Sequence, residues 1–336
     1  MTGPGSHVAP EAAAIADAAG DHVAGLLGRV EARLGEVSAG HGEALAEHAG
    51  STIAAGGKRL RPLLVIVAAG PESAWRADAS DALVRAGVAV ELVHSATLVH
   101  DDVLDASSVR RGQPTVWAGA GRDAAIATGD FLFAAAFSEL VASEDADQVR
   151  ALSRAGSALA EGELLQRADA WNAEVTLERY LHRCELKTAR LFEAACALGV
   201  LAATGDHGRA DALVEFGRRI GLAFQLLDDV LDVSGPMERT GKPRGTDLLD
   251  GTVTLPFLLA RAIDSSLAAL DVRSLQTPEQ AAEVCDAIAA SGALTQAREQ
   301  ALELVAEAKA GLPRDLPASQ RTALELVADG VVDRFA

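Results

Sequence analysis

The stretch Leu98-Val99-His100-Asp101-Asp102-Val103-Leu104-Asp105 constrains this chain more than any other, because its Asp-Asp-Val-Leu-Asp core recurs letter for letter at Asp228–Asp232. On a helix, Asp101 and Asp105 lie one turn apart on a shared face with Asp102 on the flank, and Asp228, Asp229 and Asp232 repeat the arrangement. On a solvated helix like charges at that spacing cost only a few tenths of a kcal/mol. Here the approaches to both clusters, Ala86 to Val99 and Ile220 to Leu227, are mostly apolar, which predicts two helices packed inside a bundle. At about 5 Å and an effective dielectric near 20, two bare carboxylates repel by roughly 3 kcal/mol, too much to leave uncompensated several times over. Oxygen-only donor sets of this kind suit hard divalent cations, and Mg²⁺ shared with phosphate oxygens is the commonest form.

The rest of the chain is compatible with helices throughout. Its 336 residues include 31 Gly and only 11 Pro, separated by long Ala/Leu/Val-rich runs, and can bury a substantial core. A formal net charge of −18 argues against nucleic-acid binding and against a polybasic membrane anchor. The three cysteines, Cys184, Cys196 and Cys285, form no Cys-x-x-Cys pair and leave an odd count, so they are expected to pack as small apolar residues in a reducing, cytoplasmic setting. No basic start followed by an apolar run marks a signal peptide, and no apolar run is expected to reach the length of a membrane span, so stable membrane insertion is not expected. Residues 1–10, with Gly, Pro and Ser and little periodicity, read as a mobile terminus ahead of one domain at 11–336.

Basic residues cluster at several points in the order of the chain. Gly56-Gly57-Lys58-Arg59-Leu60-Arg61-Pro62 precedes an apolar helix, and Pro62 suits its first turn, so three cations gather at a helix N-terminus. A solvated basic turn is the plainer reading of that segment alone. His94 lies seven positions before Asp101 on the same face and is read as contacting a ligand. Arg110 and Arg111, in the Gly- and Pro-punctuated segment after the first cluster, are planar forks suited to two phosphate groups. Lys187, in Glu185-Leu186-Lys187-Thr188-Ala189, either snorkels to the surface or faces the acids, depending on its direction. Gln225 stands one turn before Asp228 and Asp229, and Lys242 sits in a Gly/Pro-rich loop able to close over them. There is no strong strand alternation, no dinucleotide or Walker loop, no zinc spacing and no nucleophile with a triad.

In combination these motifs resemble the polyprenyl synthetase family, the trans-isoprenyl diphosphate synthases, over nearly the whole chain from about residue 20. The resemblance rests on Gly-Gly-Lys-Arg-Leu-Arg-Pro, the first Asp-Asp-x-x-Asp with its Arg-Arg-Gly, Lys-Thr, and Phe-Gln-x-x-Asp-Asp-x-x-Asp followed by Gly-Lys. It implies an all-α, single-domain helical bundle of the isoprenoid synthase type, usually dimeric, whose two acidic helices face one another across a deep central cavity. It also implies that Asp101, Asp102, Asp105, Asp228, Asp229 and Asp232 hold Mg²⁺, three ions with substrate bound, around an allylic diphosphate. Arg110, Lys187, Thr188, Gln225 and Lys242 would contact that diphosphate, and Lys58, Arg61, His94 and Arg111 would bind isopentenyl diphosphate. The implied reaction is head-to-tail condensation of the two through an allylic carbocation, which needs no protein nucleophile.

One departure stands out. Where many relatives have Gly-Lys-x-Thr-Leu-Pro, this chain reads Gly251-Thr252-Val253-Thr254-Leu255-Pro256, so a cation expected beside the allylic diphosphate is missing. Product length is also partly written in the sequence. In the family, bulky aromatics four and five residues before the first motif stop growth at fifteen carbons; Thr97 and Ala96 occupy those places here, which predicts a product of at least twenty carbons with Phe133 or Phe137 as the floor. The alternatives are a class I terpene cyclase, which has no use for the second set of basic residues, and a non-catalytic subunit of a heteromeric synthase, which would be expected to have lost aspartates.

Overall fold

The computed structural model describes residues 10–57, 59–235, 243–333 and 335. Lys58 and Lys242, two of the expected diphosphate ligands, lie outside the described residues, as do residues 1–9. The order of helices is α1 (Pro10–Ala19), α2 (His22–Ala39), α3 (Glu43–Ala54), α4 (Leu60–Ala68), α5 (Ala79–Leu104), α6 (Val116–Ala120), α7 (Arg122–Val141), α8 (Ala146–Ala168), α9 (Leu177–Cys184), α10 (Arg190–Thr204) and α11 (His207–Ser234). Shorter segments then lead to Leu255–Ile263, Pro278–Ala290, Ala293–Ala310 and Ala318–Asp333. Among the described residues the only strands are a two-residue antiparallel pair, Val109–Arg110 against Gln113–Pro114.

Helix α5 is the axis of the bundle. It is apolar on nearly every side, and α2, α4, α7 and α10 pack around it, as expected for a helix with no solvent face. Arg85 meets Glu139 at 3.1 Å near one end of the α5/α7 pair and His100 lies 3.5 Å from Asp130 near the other, so the two helices run antiparallel. Close crossings are set by missing side chains: a Cβ on Gly199 of α10 would come within 2.1 Å of the Val65 carbonyl of α4, and one on Gly221 of α11 within 2.7 Å of the Ala189 Cα. A second, smaller core around Val253, Phe257, Cys285 and Ile288 joins the C-terminal helices to the end of α11. All three cysteines are free and buried.

Several expectations are corrected. Helical pattern starts the two acidic helices at about Ala82 and at Gly217, but α5 begins at Ala79 and α11 at His207, where the Asp206 side chain accepts from the Arg209 N–H. The first described helix, α1, opens at Pro10. Two helices, α5 and α7, are long and apolar enough by length and composition to cross a membrane, contrary to the sequence reading. For α5 the reason is burial in the bundle, 78% of its apolar window being enclosed by other helices, whereas α7 has 44% of its window enclosed.

Candidate functional site

The C-terminal turn of α5 delivers the first acidic cluster, with Asp105 as the residue that ends the helix. Each of its carboxylates already has a basic neighbour. Arg110 Nε donates to Asp102 Oδ1 at 2.7 Å, and Asp105 pairs with Arg167 from α8. Arg167 in turn holds Glu163 at 2.9 Å, Glu163 pairs with Lys187, and the Lys187 Nζ lies 4.0 Å from Asp101. Lys187 therefore turns inward and does not snorkel. Burial opposes its charge, but Asp101 and Glu163 outweigh that and hold its pKa above the ordinary lysine value. Burial pushes Asp101 up to about 6; Lys187 pulls it back while Glu163 and Asp105 push it further. Asp102 is raised as well, again chiefly by burial, against the pull of Arg110.

The second cluster is built on α11 and braced from α9. Thr188 Oγ1 donates to Gln225 Oε1 at 2.7 Å, Gln225 Nε2 donates to Asp229 Oδ1 at 2.8 Å, and the Tyr180 hydroxyl donates to Asp229 Oδ2 at 2.5 Å. Burial raises the Asp229 carboxyl, with Asp247 and Asp228 adding to it, so the two donors do not fully offset the loss of water and the neighbouring charge. Asp232 Oδ2 accepts from the Asp247 N–H at 3.3 Å, while Asp228 is exposed. The two clusters are linked by a single turn of π-helix, Glu185–Ala189. In that turn Lys187 points to the first cluster and its neighbour Thr188 to the second. Such turns recur at functional sites.

The basic side converges on His94. Its pKa is driven well below the ordinary histidine value by burial and then by Arg61, Arg111, Arg110 and Arg59, so the ring is neutral and the surrounding field positive. Arg61 lies over the Phe192 ring at 4.8 Å, and the Arg111 guanidinium rests where a Cβ on Gly57 would come within 3.2 Å. Arg111 and Gly112 both have positive φ, 52° and 76°, giving the type I′ turn of the two-strand hairpin. That turn sends Arg110 to the acids and Arg111 to the Gly57 loop. Arg110, Arg111 and Asp102 also line a 430 Å³ cleft with Thr52, Leu98 and Thr115. Arg59, the third cation of the basic segment, is engaged elsewhere, pairing with Glu31 and, at 2.8 Å, with Glu91.

Below the acids, Ala96 has no exposed surface, whereas Thr97 is half-buried and spends its hydroxyl on the His94 carbonyl at 2.7 Å. Phe133 stacks beside His100, the centroids 6.0 Å apart, and Phe137 lies one turn further along α7; both are half-buried.

Sequence reasoning missed Tyr180, Glu163 and Arg167. Tyr180 had a signal: it is the chain's one tyrosine and precedes Lys187 by seven residues, the spacing that relates His94 to Asp101. Glu163 and Arg167 stand four residues apart on α8, and only tertiary contact shows that they hold Lys187 and Asp105.

Among the described residues no three His, Cys, Asp or Glu side chains converge as a finished metal site. The residues nonetheless fit Mg²⁺. The donors are all carboxylate oxygens, burial raises Asp101, Asp102 and Asp229 so that a bound cation would offset the water they have lost, and Mg²⁺ characteristically takes one or two carboxylates, completing its shell with water and substrate phosphate.

Residues 43–291 match the family model for polyprenyl synthetase. The chain is 36% identical over 292 residues to the geranylgeranyl diphosphate synthase of Methanosarcina mazei, covering 83% of this chain and 86% of that one. It is 35% identical over 272 residues to the octaprenyl diphosphate synthase of Escherichia coli, covering 77% and 80%. In structure it is similar to a polyprenyl synthase of Caulobacter crescentus crystallised with calcium and isoprenyl diphosphate, with a TM-score of 0.87, 34% identity, and 95% and 98% of the two chains covered. The all-α isoprenoid synthase fold is thus shared with solved polyprenyl synthases, and the chain belongs to the polyprenyl synthetase family of prenyltransferases.

Proposed function

We infer that this protein is a Mg²⁺-dependent trans-polyprenyl diphosphate synthase making a product of twenty carbons or more. The observation that carries the reading is the π-helical turn, in which Lys187 reaches the first acidic cluster and Thr188, through Gln225, the second. One diphosphate between the clusters then meets ligands from both. Asp101, Asp102, Asp105, Asp228, Asp229 and Asp232 are the proposed metal ligands, and Mg²⁺, three ions with substrate present, would supply the charge that draws electrons from the breaking C–O bond.

Arg110, Lys187, Thr188, Gln225 and Lys242 take the allylic diphosphate. Lys58, Arg61, His94 and Arg111 take isopentenyl diphosphate, and the neutral His94 donates a hydrogen bond without adding charge to an already positive pocket. As the allylic diphosphate leaves, the carbocation is attacked by the double bond of isopentenyl diphosphate, and a proton passes to the departing diphosphate. The protein's own part is to fix both diphosphates, stabilise the leaving one and keep water from the cation with apolar walls. Small Thr97 leaves room for growth past fifteen carbons, and Phe133 or Phe137 limits it.

A homodimer is part of this reading. Helix α7 presents the apolar side chains of Ile126 and Val141 to solvent, and α8 presents Leu164. The direct test is incubation of the purified protein with Mg²⁺, isopentenyl diphosphate and allylic primers of several lengths, followed by product chromatography. Elongation to twenty carbons or beyond is expected. Failure with every primer would revive the non-catalytic subunit.

A further inference from the structure

Helix α9 carries Tyr180 and Arg183 three residues apart, and Lys187 follows four residues later in the π-helical turn that continues it. Tyr180 goes to Asp229 and Lys187 to Asp101 and Glu163, and Arg183 lies between these two residues in the chain. Arg183 is only 3% exposed. Its Nη2 donates to the Val253 carbonyl at 2.6 Å, and its guanidinium carbon lies 5.4 Å from the centre of the Tyr180 ring. Its buried Nη1 has no hydrogen-bond partner. A guanidinium removed from water needs an anion; a carbonyl and a ring face offset that loss only in part.

The loop it touches is held in place independently of Arg183. Gly251 has φ of +75°, and a Cβ there would run into the Trp171 ring at 2.4 Å. The Trp171 N–H donates to the Gly251 carbonyl at 2.8 Å, and the Thr252 N–H to the Asp247 carbonyl at 2.7 Å. The Asp247 N–H in turn reaches Asp232. Arg183 thus stands against a segment tied to one acidic ligand and against the ring whose hydroxyl is tied to another. Next to its Val253 contact is Thr252, where the chain lacks the cation expected for diphosphate binding.

We propose that Arg183 supplies that cation, its unpartnered Nη1 taking an oxygen of the allylic diphosphate, so that Thr252 leaves no deficit. The inference rests on the diphosphate reading above and assigns a specificity residue within it. Arg183→Met keeps most of the side-chain volume and removes the charge and the donor. Calorimetry in Mg²⁺ with an unreactive thiolo-diphosphate analogue of the allylic substrate is expected to show binding weakened about ten- to a hundredfold, the loss of one charge-assisted contact. The KM for isopentenyl diphosphate should change less than about threefold. Adding Thr252→Lys to Arg183→Met should restore most of the analogue affinity, which a purely structural role for Arg183 would not allow. Unchanged analogue binding in Arg183→Met, or loss of both substrates alike with no rescue by Thr252→Lys, would overturn the proposal. If Arg183→Met does not fold, as judged by circular dichroism, the single variant Thr252→Lys decides. With a cation already present it should tighten analogue binding less than about threefold, and a gain of tenfold or more would show the site short of charge. Wild-type protein that does not bind the analogue would defeat the diphosphate reading itself, not this assignment.

Discussion

Replacing Tyr180 by Phe removes one oxygen atom from the second acidic cluster and little else. The tyrosine has no exposed surface, its hydroxyl donates to Asp229 Oδ2 at 2.5 Å, and the ring that faces Arg183 at 5.4 Å is retained, so no cavity of consequence opens. A hydrogen bond to a charged group contributes about 1.5–3 kcal/mol. Taking about 2 kcal/mol, and an unfolding entropy of roughly 2.1 cal/mol/K per residue over a chain of this length, the melting temperature should fall by about 3 °C.

The loss should depend on pH in a direction the site dictates. The Asp229 carboxyl is already raised in the folded protein by burial and by Asp247, so its ionisation weighs against the fold as pH rises through the folded value, and the stabilisation associated with its protonated form is lost there. Removing the donor raises it further. The deficit of Tyr180→Phe is therefore expected to be largest near pH 8 and to shrink to about 1 °C near pH 5, where the carboxyl is protonated in both proteins. Differential scanning calorimetry of the metal-free proteins at the two pH values measures this. In the initial rate, the Mg²⁺ concentration for half-maximal activity should rise several-fold and kcat fall about tenfold, since a loosely held ligand orients metal less well. Equal melting deficits at both pH values, with an unchanged Mg²⁺ requirement, would mean that the bond is incidental to packing.

Three further outcomes follow from the same geometry. Because burial lifts Asp101 to about 6 and a metal takes only the ionised form, Mn²⁺ binding followed by electron paramagnetic resonance should weaken by up to about tenfold per pH unit below that value, and a flat profile between pH 7 and 5 would sink the assignment of Asp101 as a ligand. Thr97→Phe should shorten the product, whereas Ala96→Phe, at a site with no exposed surface, should instead destabilise the protein by about 1–3 kcal/mol; identical product lengths from Thr97→Phe and wild type would end the ruler argument. Gly129→Ala should destabilise the α5/α7 contact, since the added Cβ would lie 2.2 Å from His100 Nε2, and His100→Ala should recover most of the loss; additive effects in that double-mutant cycle would be the contrary result.

Local pattern carried a good deal of this protein. The repeated Asp-Asp-Val-Leu-Asp in apolar surroundings already demanded buried helices and a compensating charge, because side-chain type and helical period together fix which carboxylates share a face. The family resemblance, not local pattern, grouped His94 with Arg61 and Arg111, and in the structure Arg61, Arg111 and Arg110 lie near enough to His94 to lower its pKa. Pattern could not say which way a long side chain turns. Lys187 was ambiguous until the π-helical turn aimed it at Asp101, and Arg59, indistinguishable in sequence from Arg61, proved to be held by Glu31 and Glu91. Arg111 in a left-handed turn was equally hidden, since arginine rarely takes that conformation and only the hairpin imposes it. Tyr180, Arg183 and Glu163 matter through partners 49, 70 and 24 residues away. The contacts of Tyr180 and Glu163 depend on how helices α8, α9 and α11 come together, and that is set by close packing at residues such as Gly162 and Gly221, whose effect exists only once another segment lies against them.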